Sequence, residues 1–282
     1  MTGSERAVAL VTGASSGIGA VFARTLAAIG YDVILVARRK RRLDELARDL
    51  RMTYSVEPEV IVADLATDEG VRLVEERIAA TPNLEFLINN AGFATLGRFW
   101  DTDVAGQDAM LRLHVLATMR LSHAALKIMV PRKLGAIVNV ASVAGFAPAP
   151  GNACYGSSKG WIHNFTVGLH LELRSAGSPV QVQSLCPGFT YSEFHDVLGV
   201  DRSTIPSGWW TTAEQVVEAS FAGLSKGKLM VVPGGRYKVL TALLKWVPRP
   251  LYQMGAIMYS RRMRREYPAS ALPPVETPEL ME

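Results

Sequence analysis

Near its amino terminus the chain passes from an apolar run, AVALV, directly into Thr12-Gly13-Ala14-Ser15-Ser16-Gly17-Ile18-Gly19 and then into a helical pattern. Three glycines in that turn allow a tight reversal and a close approach of backbone to a ligand. The amino terminus of the following helix favours an anion such as a pyrophosphate. A glycine-rich string alone is a weak signal. Set between a strand and a helix at the start of a βαβ unit, it is a strong one for nucleotide binding.

The rest of the chain continues that alternation. Short apolar or β-branched runs at 7–12, 32–37, 59–64, 86–89, 135–141, 180–186 and 229–232 read as strands. Helical patterns lie between them at 17–29, 39–52, 68–80, 105–130, 155–175 and 213–225. Strands with little polar alternation, spaced by single helices, predict a parallel sheet covered on both faces. The predicted fold class is therefore α/β, a doubly wound (Rossmann) sheet of about seven strands, with ligands at the carboxyl ends of the strands. A catalytic and cofactor-binding domain is expected over 1–236, and a helical extension with a frayed end over 237–282. The segment 189–212 lacks periodicity, carries Trp209 and Trp210, and follows a strand end, so it reads as a lid over the crevice.

Composition narrows the function classes. Hydrophobic residues make up 49% and charged residues 20%, which fits a globular chain with a sizeable core. The net charge of +4 is small, and basic residues cluster at 38–42 and 261–265. That pattern argues against nucleic acid and for a local anion site or a membrane-facing patch. Cys154 and Cys186 have no metal-type spacing and imply a reducing compartment, so a cytoplasmic protein, in contact with a membrane at most peripherally, is expected. No apolar stretch reaches membrane-spanning length. His123, His163 and His170 read as structural, and no metal site is expected.

Two further constellations carry chemistry. Tyr155 and Lys159 stand four residues apart, on one helix face, thirteen residues after Ser142. An ammonium near a phenol favours phenolate, which would bring Tyr155 below its ordinary pKa and let it pass a proton at neutral pH. After the second strand the chain reads Ala37-Arg38-Arg39, where an NAD site usually presents a carboxylate. Arg38 there suits a 2′-phosphate, so NADP(H) is expected ahead of NAD(H). The competing reading makes these arginines an exposed first helical turn, where cations oppose the helix dipole and need an offsetting partner.

Taken together, these motifs resemble the short-chain dehydrogenase/reductase family over about residues 7–235. TGASSGIG matches its cofactor turn, Asn89-Asn90-Ala91-Gly92 its NNAG, and Asp64, with Leu65 next to it, the acidic residue beside adenine. Ser142, Tyr155 and Lys159 match its catalytic serine and YxxxK pair, and Pro187-Gly188 its turn beside the nicotinamide. The resemblance implies hydride transfer between a nicotinamide and a carbonyl or alcohol carbon. Tyr155 would then move the proton, Ser142 hold the substrate oxygen, and Lys159 bind the nicotinamide ribose. Gly13, Ser15, Ser16, Gly17, Ile18, Gly19, Arg38, Arg39, Asp64, Leu65, Asn90, Ala91, Gly92, Pro187, Gly188 and Thr190 would line the cofactor. Where the family usually has an asparagine that bends a helix and holds a relay water, this chain has His114. A histidine titrating near neutrality could hold that water or shuttle the proton; a packed histidine with no proton role is the alternative.

Beyond the core come some 47 residues, including YKVLTALLKWVPRPLYQMGAIMYSRRMRREY. Apolar helical faces bordered by aromatics and cations read as a cover docked on the core or on a partner subunit, or, over 237–267, as a membrane-interface surface. The docked reading is ahead, because it is the commoner arrangement. The expected substrate is a small apolar carbonyl or alcohol, such as a lipid or steroid. A cofactor-binding scaffold without catalysis and a membrane-peripheral lipid reductase are the alternatives, and a homodimer or homotetramer is expected from the resemblance.

Overall fold

The central apolar runs become strands because they bury both faces. In Val8–Thr12 (β1) and Asp32–Ala37 (β2), Ala9, Val11, Val33 and Leu35 enter one core cluster. Their neighbours Leu10, Ile34 and Val36 enter the other. This is the two-residue period of a strand, with apolar partners waiting on each side. The remaining strands are Glu59–Val62 (β3), Leu84–Asn89 (β4), Ala136–Val140 (β5), Gln181–Leu185 (β6) and Met230–Val231 (β7). All pair in parallel, in the order β3-β2-β1-β4-β5-β6-β7. This computed structural model describes residues 6–95, 97–194, 198, 202–244 and 246–266.

Helices cover both faces. Gly17–Ala28 (α1), Lys40–Tyr54 (α2) and Ala213–Leu224 (α7) press Phe22, Leu26, Leu43, Leu50, Val216 and Val217 into the first cluster. Asp68–Ala79 (α3), Thr118–Arg132 (α5) and Ala153–Ser175 (α6) supply Val71, Val74, Ile78, Leu121, Met129 and Leu173 to the second. Thr212 starts α7 with a full capping box, bonding Gln215 N while Gln215 bonds back. The strand order reverses between β1 and β4, and that switch point opens the crevice.

The structure corrects the sequence reading in three places. The long helix expected over 105–130 is Val104–Leu111 (α4), then a π-helical turn at Arg112–Ala117, then α5. Wide turns of this kind inside helices often mark functional sites, and this one holds His114. The strand expected over 59–64 stops at Val62, freeing Asp64 to accept from Ala66 N and shape the turn. In the second helix Arg39 is the residue before the first turn rather than part of it.

The last part of the chain leaves β7 as Gly235–Leu244 (α8) and Arg249–Glu266 (α9). Tyr237 fixes α8 in place. Its hydroxyl donates to Trp209 O at 2.7 Å and accepts from Phe189 N at 2.9 Å. Tyr252 of α9 donates to Pro148 O.

Candidate active site

The glycine turn is held from below by the end of β4. Asn90 Nδ2 donates to Thr12 O and Gly13 O at 3.0 and 3.3 Å, while Thr12 Oγ1 accepts from Asn90 N and Ala91 N. Gly13 has a φ of 66°, and a Cβ at Gly19 would stand 2.2 Å from Gly13 O. Only glycine fits there, because α1 must meet the turn backbone to backbone. Asn89 anchors the same strand end sideways, donating to Asn139 Oδ1 and Ser122 Oγ, and Asn139 donates to Thr166 Oγ1. Ser16 enters α1 without a side-chain cap, and the first-turn N–H groups of a helix have no intrahelical acceptor, so this end suits a pyrophosphate.

On the rim of the turn the arginines divide. Arg39, not Arg38, reaches the glycine turn: it donates to Ser15 Oγ and Ser16 Oγ at 2.9 Å and pairs with Glu193 at 2.8 Å. Arg42 pairs with the second oxygen of Glu193, also at 2.8 Å. Arg38 is exposed and makes no hydrogen bond or ion pair among the described residues. Glu193 comes from the lid segment, and it is the offsetting partner that the basic entry to α2 needs. Partial burial opposes its ionisation, yet Arg39, Arg42 and Ser16 hold its carboxyl below the ordinary value. Nothing in the sequence singled it out, since a lone glutamate in an aperiodic loop has no pattern to be read.

Deeper in the crevice Ser142, Tyr155 and Lys159 come together. Ser142 leaves β5 in extended geometry, accepts from Ala144 N at 3.2 Å, donates to Pro187 O at 3.4 Å, and stands near enough to Tyr155 to favour its ionised form. Lys159 lies one turn along α6, nearly fully buried, and donates to Val140 O at 2.9 Å. Its Nζ stands 5.8 Å from the Tyr155 ring centre. The expected depression of the Tyr155 pKa by this ammonium is not what the site gives. Burial pushes Tyr155 up to about 12, with Ser142 opposing it. Burial also lowers Lys159 to about 8. The reason is geometric, because the ammonium is drawn back to a main-chain carbonyl in a dry pocket where desolvation dominates.

His114 completes the cluster from the π-helical turn. Ser158 Oγ donates to Tyr155 O at 2.8 Å, so its contact with His114 Nδ1 at 2.9 Å has the ring as donor. The proton therefore sits on Nδ1, and Nε2 presents a bare lone pair with no partner, fully buried. That lone pair and Lys159 Nζ converge on Gly92: a Cβ there would lie 2.7 Å from Nε2 and 3.5 Å from Nζ. Burial, then the Lys159 charge, hold the His114 pKa well below its ordinary value, so the near-neutral titration expected of a shuttle is absent. Its tautomer lock, Ser158, was overlooked in the sequence because it is one of two adjacent serines inside the YxxxK run.

The remaining expected residues fall around this centre. Gly188 packs its missing side chain against Tyr237, whose ring carbons come within 2.0–2.4 Å of where a Cβ would be. Thr190 is buried and donates to Gly188 O at 3.1 Å. Leu65 is buried beneath the turn that Asp64 shapes. Pro187 O receives Val143 N and Ser142 Oγ, linking β5 to β6. In the segment after β6, Tyr191 stacks on Trp210 at 4.8 Å, Phe189 leans on Trp210, and Arg202 lies over both Tyr191 and Trp210. Part of the lid, 195–197 and 199–201, lies outside the described residues. His163 bonds Ser184 Oγ, as a structural histidine would, and no cluster of metal-ligating side chains occurs among the described residues.

The family model for short chain dehydrogenase matches residues 7–202. A 7beta-hydroxysteroid dehydrogenase of Mediterraneibacter gnavus is 30% identical over 231 residues, 81% of this chain and 86% of that protein. A short-chain dehydrogenase from Sphingobium yanoikuyae, solved with NADPH, superposes with a TM-score of 0.78 at 36% identity, over 85% of this chain and 93% of that one. A bulky-bulky ketone specific alcohol dehydrogenase from Comamonas testosteroni gives 0.74 at 32% identity, over 87% and 96%. The fold and the site define a Rossmann-type dehydrogenase. The chain belongs to the short-chain dehydrogenase family and is an oxidoreductase of that family.

Proposed function

We propose that this protein is an NADP(H)-dependent oxidoreductase that interconverts a carbonyl and a secondary alcohol on an apolar substrate, with Tyr155 as general acid and base. The observation that carries the reading is buried Lys159 one helical turn from Tyr155, its Nζ 5.8 Å from the phenol ring, with Ser142 near enough to favour the phenolate. A bound nicotinamide supplies the hydride. Tyr155 is neutral well past pH 7, so it holds the proton that a newly formed alkoxide needs. Ser142 adds a second hydrogen bond to that oxygen, where charge develops. Lys159 titrates close enough to neutrality to take part in proton resupply. The His114 Nε2 lone pair, fixed by Ser158, offers an acceptor behind it. His114 therefore acts by accepting a hydrogen bond or holding a water, rather than as a titrating acid.

The preference for a 2′-phosphate rests on Arg39 and Arg42, which converge on one carboxylate at the edge of the glycine turn. A pair of guanidinium groups already gripping an anion there suits a phosphate of similar charge. The alcohol dehydrogenase named for bulky ketones and the hydroxysteroid dehydrogenase are similar over most of this chain. With the Phe189, Tyr191 and Trp210 rings in the segment after β6, they favour a bulky apolar substrate. The test is oxidation of NADPH with a panel of bulky ketones, wild type against Tyr155→Phe. We expect a fall in kcat on the order of 10²–10⁴, the range of a lost general acid. Equal rates in the two proteins would remove Tyr155 from the chemistry.

A further inference from the structure

Residues 1–235 carry 22 basic and 22 acidic side chains, so the catalytic core is neutral overall. Residues 236–265 carry eight basic side chains and no acidic one. The same stretch forms α8 and α9, each secured to the core along one face only: Tyr237 and Thr241 are buried, and Tyr252 reaches Pro148. Their other faces are open and apolar. Trp246 is 86% exposed, Val239 60% and Met258 62%, and Leu243, Leu251, Met254 and Ile257 are exposed with them. Exposed apolar area of this extent, concentrated in some twenty residues, is a binding surface rather than ordinary scatter.

We infer that α8 and α9 form a docking surface for an anionic lipid bilayer, lying in its interface plane. Two observations choose the lipid over a second copy of the chain. A two-fold contact places the same patch against itself, so it would set eight cations against eight with one carboxylate, Glu266 at the end of α9, in each patch. A lipid surface instead takes apolar side chains below the headgroups and cations beside their phosphates, and this stretch supplies exposed apolar side chains and a strong excess of basic residues. Among the described residues no helix is long and apolar enough to cross a membrane, so the contact is with one leaflet. An apolar groove of about 450 Å³, lined by Trp209, Gly235, Arg236, Val239, Leu240 and Leu243, runs between this surface and the lid. Membrane contact would therefore place the substrate side of the molecule against the bilayer.

The test is co-sedimentation of the full chain with phosphatidylcholine vesicles, with and without phosphatidylglycerol. We expect at least tenfold stronger binding to the anionic vesicles, weakened by salt, as screening shortens from about 10 Å at 0.1 M to about 3 Å at 1 M. Replacing Trp246→Glu together with Met258→Glu should abolish binding while leaving the thermal midpoint within a degree or two of wild type, because both side chains are exposed. Equal binding to neutral and anionic vesicles, or none to either, would overturn the inference. So would light scattering that shows a wild-type dimer, split by the double substitution, with no vesicle binding.

Discussion

On the nucleotide side of the crevice Thr12, Gly13, Gly19, Asn90 and Ala91 meet through main-chain atoms and two short side chains, those of Thr12 and Asn90, and nearly every contact is a hydrogen bond between strand ends. On the substrate side Phe189, Tyr191, Trp209, Trp210 and Tyr237 meet through rings, brought in by a loop and by α8 from the end of the chain. The first wall tolerates almost no change of residue, because its geometry belongs to the backbone. The second depends on shape and area, which many sets of side chains could supply. Gly188 is where the two meet: a glycine of the main-chain wall whose missing Cβ is filled by the Tyr237 ring.

That contrast sets the order of expected effects. After the Tyr155→Phe loss, the largest belongs to the other catalytic hydroxyl beside that wall. Ser142→Ala should lower kcat by about 10²–10³ with little change in cofactor affinity, as for loss of one oxyanion donor. If steady-state kinetics show KM rising with kcat intact, Ser142 positions substrate instead.

Next comes the junction. Gly188→Ala should cost about 1–3 kcal/mol by overpacking, visible as a drop in the thermal midpoint. Adding Tyr237→Ala should not restore full stability, since it leaves Phe189 N and Trp209 O without the phenol. A silent Gly188→Ala would mean that α8 is free to move away.

A more moderate effect is expected at the rim. Arg39→Ala should weaken NADPH about tenfold, which is about 1.4 kcal/mol, and leave NADH nearly unchanged. Glu193→Gln should tighten NADPH two- to fivefold, an order-of-magnitude expectation from freeing the arginines of a competing carboxylate. Fluorescence titration with both nucleotides distinguishes these outcomes. Equal changes for NADH and NADPH would place the arginines on the shared pyrophosphate rather than the 2′-phosphate.

The smallest is a pH effect on stability from His114. Its folded pKa lies well below the ordinary 6.5, so the unfolded chain binds a proton that the folded one refuses. Its contribution is complete above pH 6.5 and is lost as pH falls from there toward the folded pKa, at up to about 1.4 kcal/mol per pH unit. His114→Asn should flatten that part of the denaturation profile. An unchanged slope would show that other groups set it.

The main-chain wall was legible in the sequence for the reason that makes it rigid. Gly13, Gly17, Gly19 and the Asn89-Asn90 pair are needed at fixed positions, so residue type alone betrays the backbone. The pairing of Tyr155 with Lys159 followed from helix periodicity, while Ser142 was picked out by the family resemblance. What the sequence hid is carried by contacts between distant segments. Arg38 and Arg39 are adjacent and chemically alike, and only the direction of the chain entering α2 turns Arg39 toward Ser15. The Glu193 contact spans 154 positions. The pKa directions of Tyr155 and Lys159 depend on how dry the pocket is, a property of the packed whole. The π-helical turn around His114 has no signature in a pattern that reads as one continuous helix.

The central claim is hydride transfer at the Tyr155 site, and it can be followed atom by atom. NADPH carrying deuterium at nicotinamide C4 should be mixed with a bulky ketone and the alcohol analysed by mass spectrometry, for wild type and Tyr155→Phe. The account predicts one deuterium on the carbinol carbon from wild type, and from Tyr155→Phe a rate lower by a factor on the order of 10²–10⁴ with NADPH still bound. Deuterium transfer at the wild-type rate without the Tyr155 hydroxyl would contradict it.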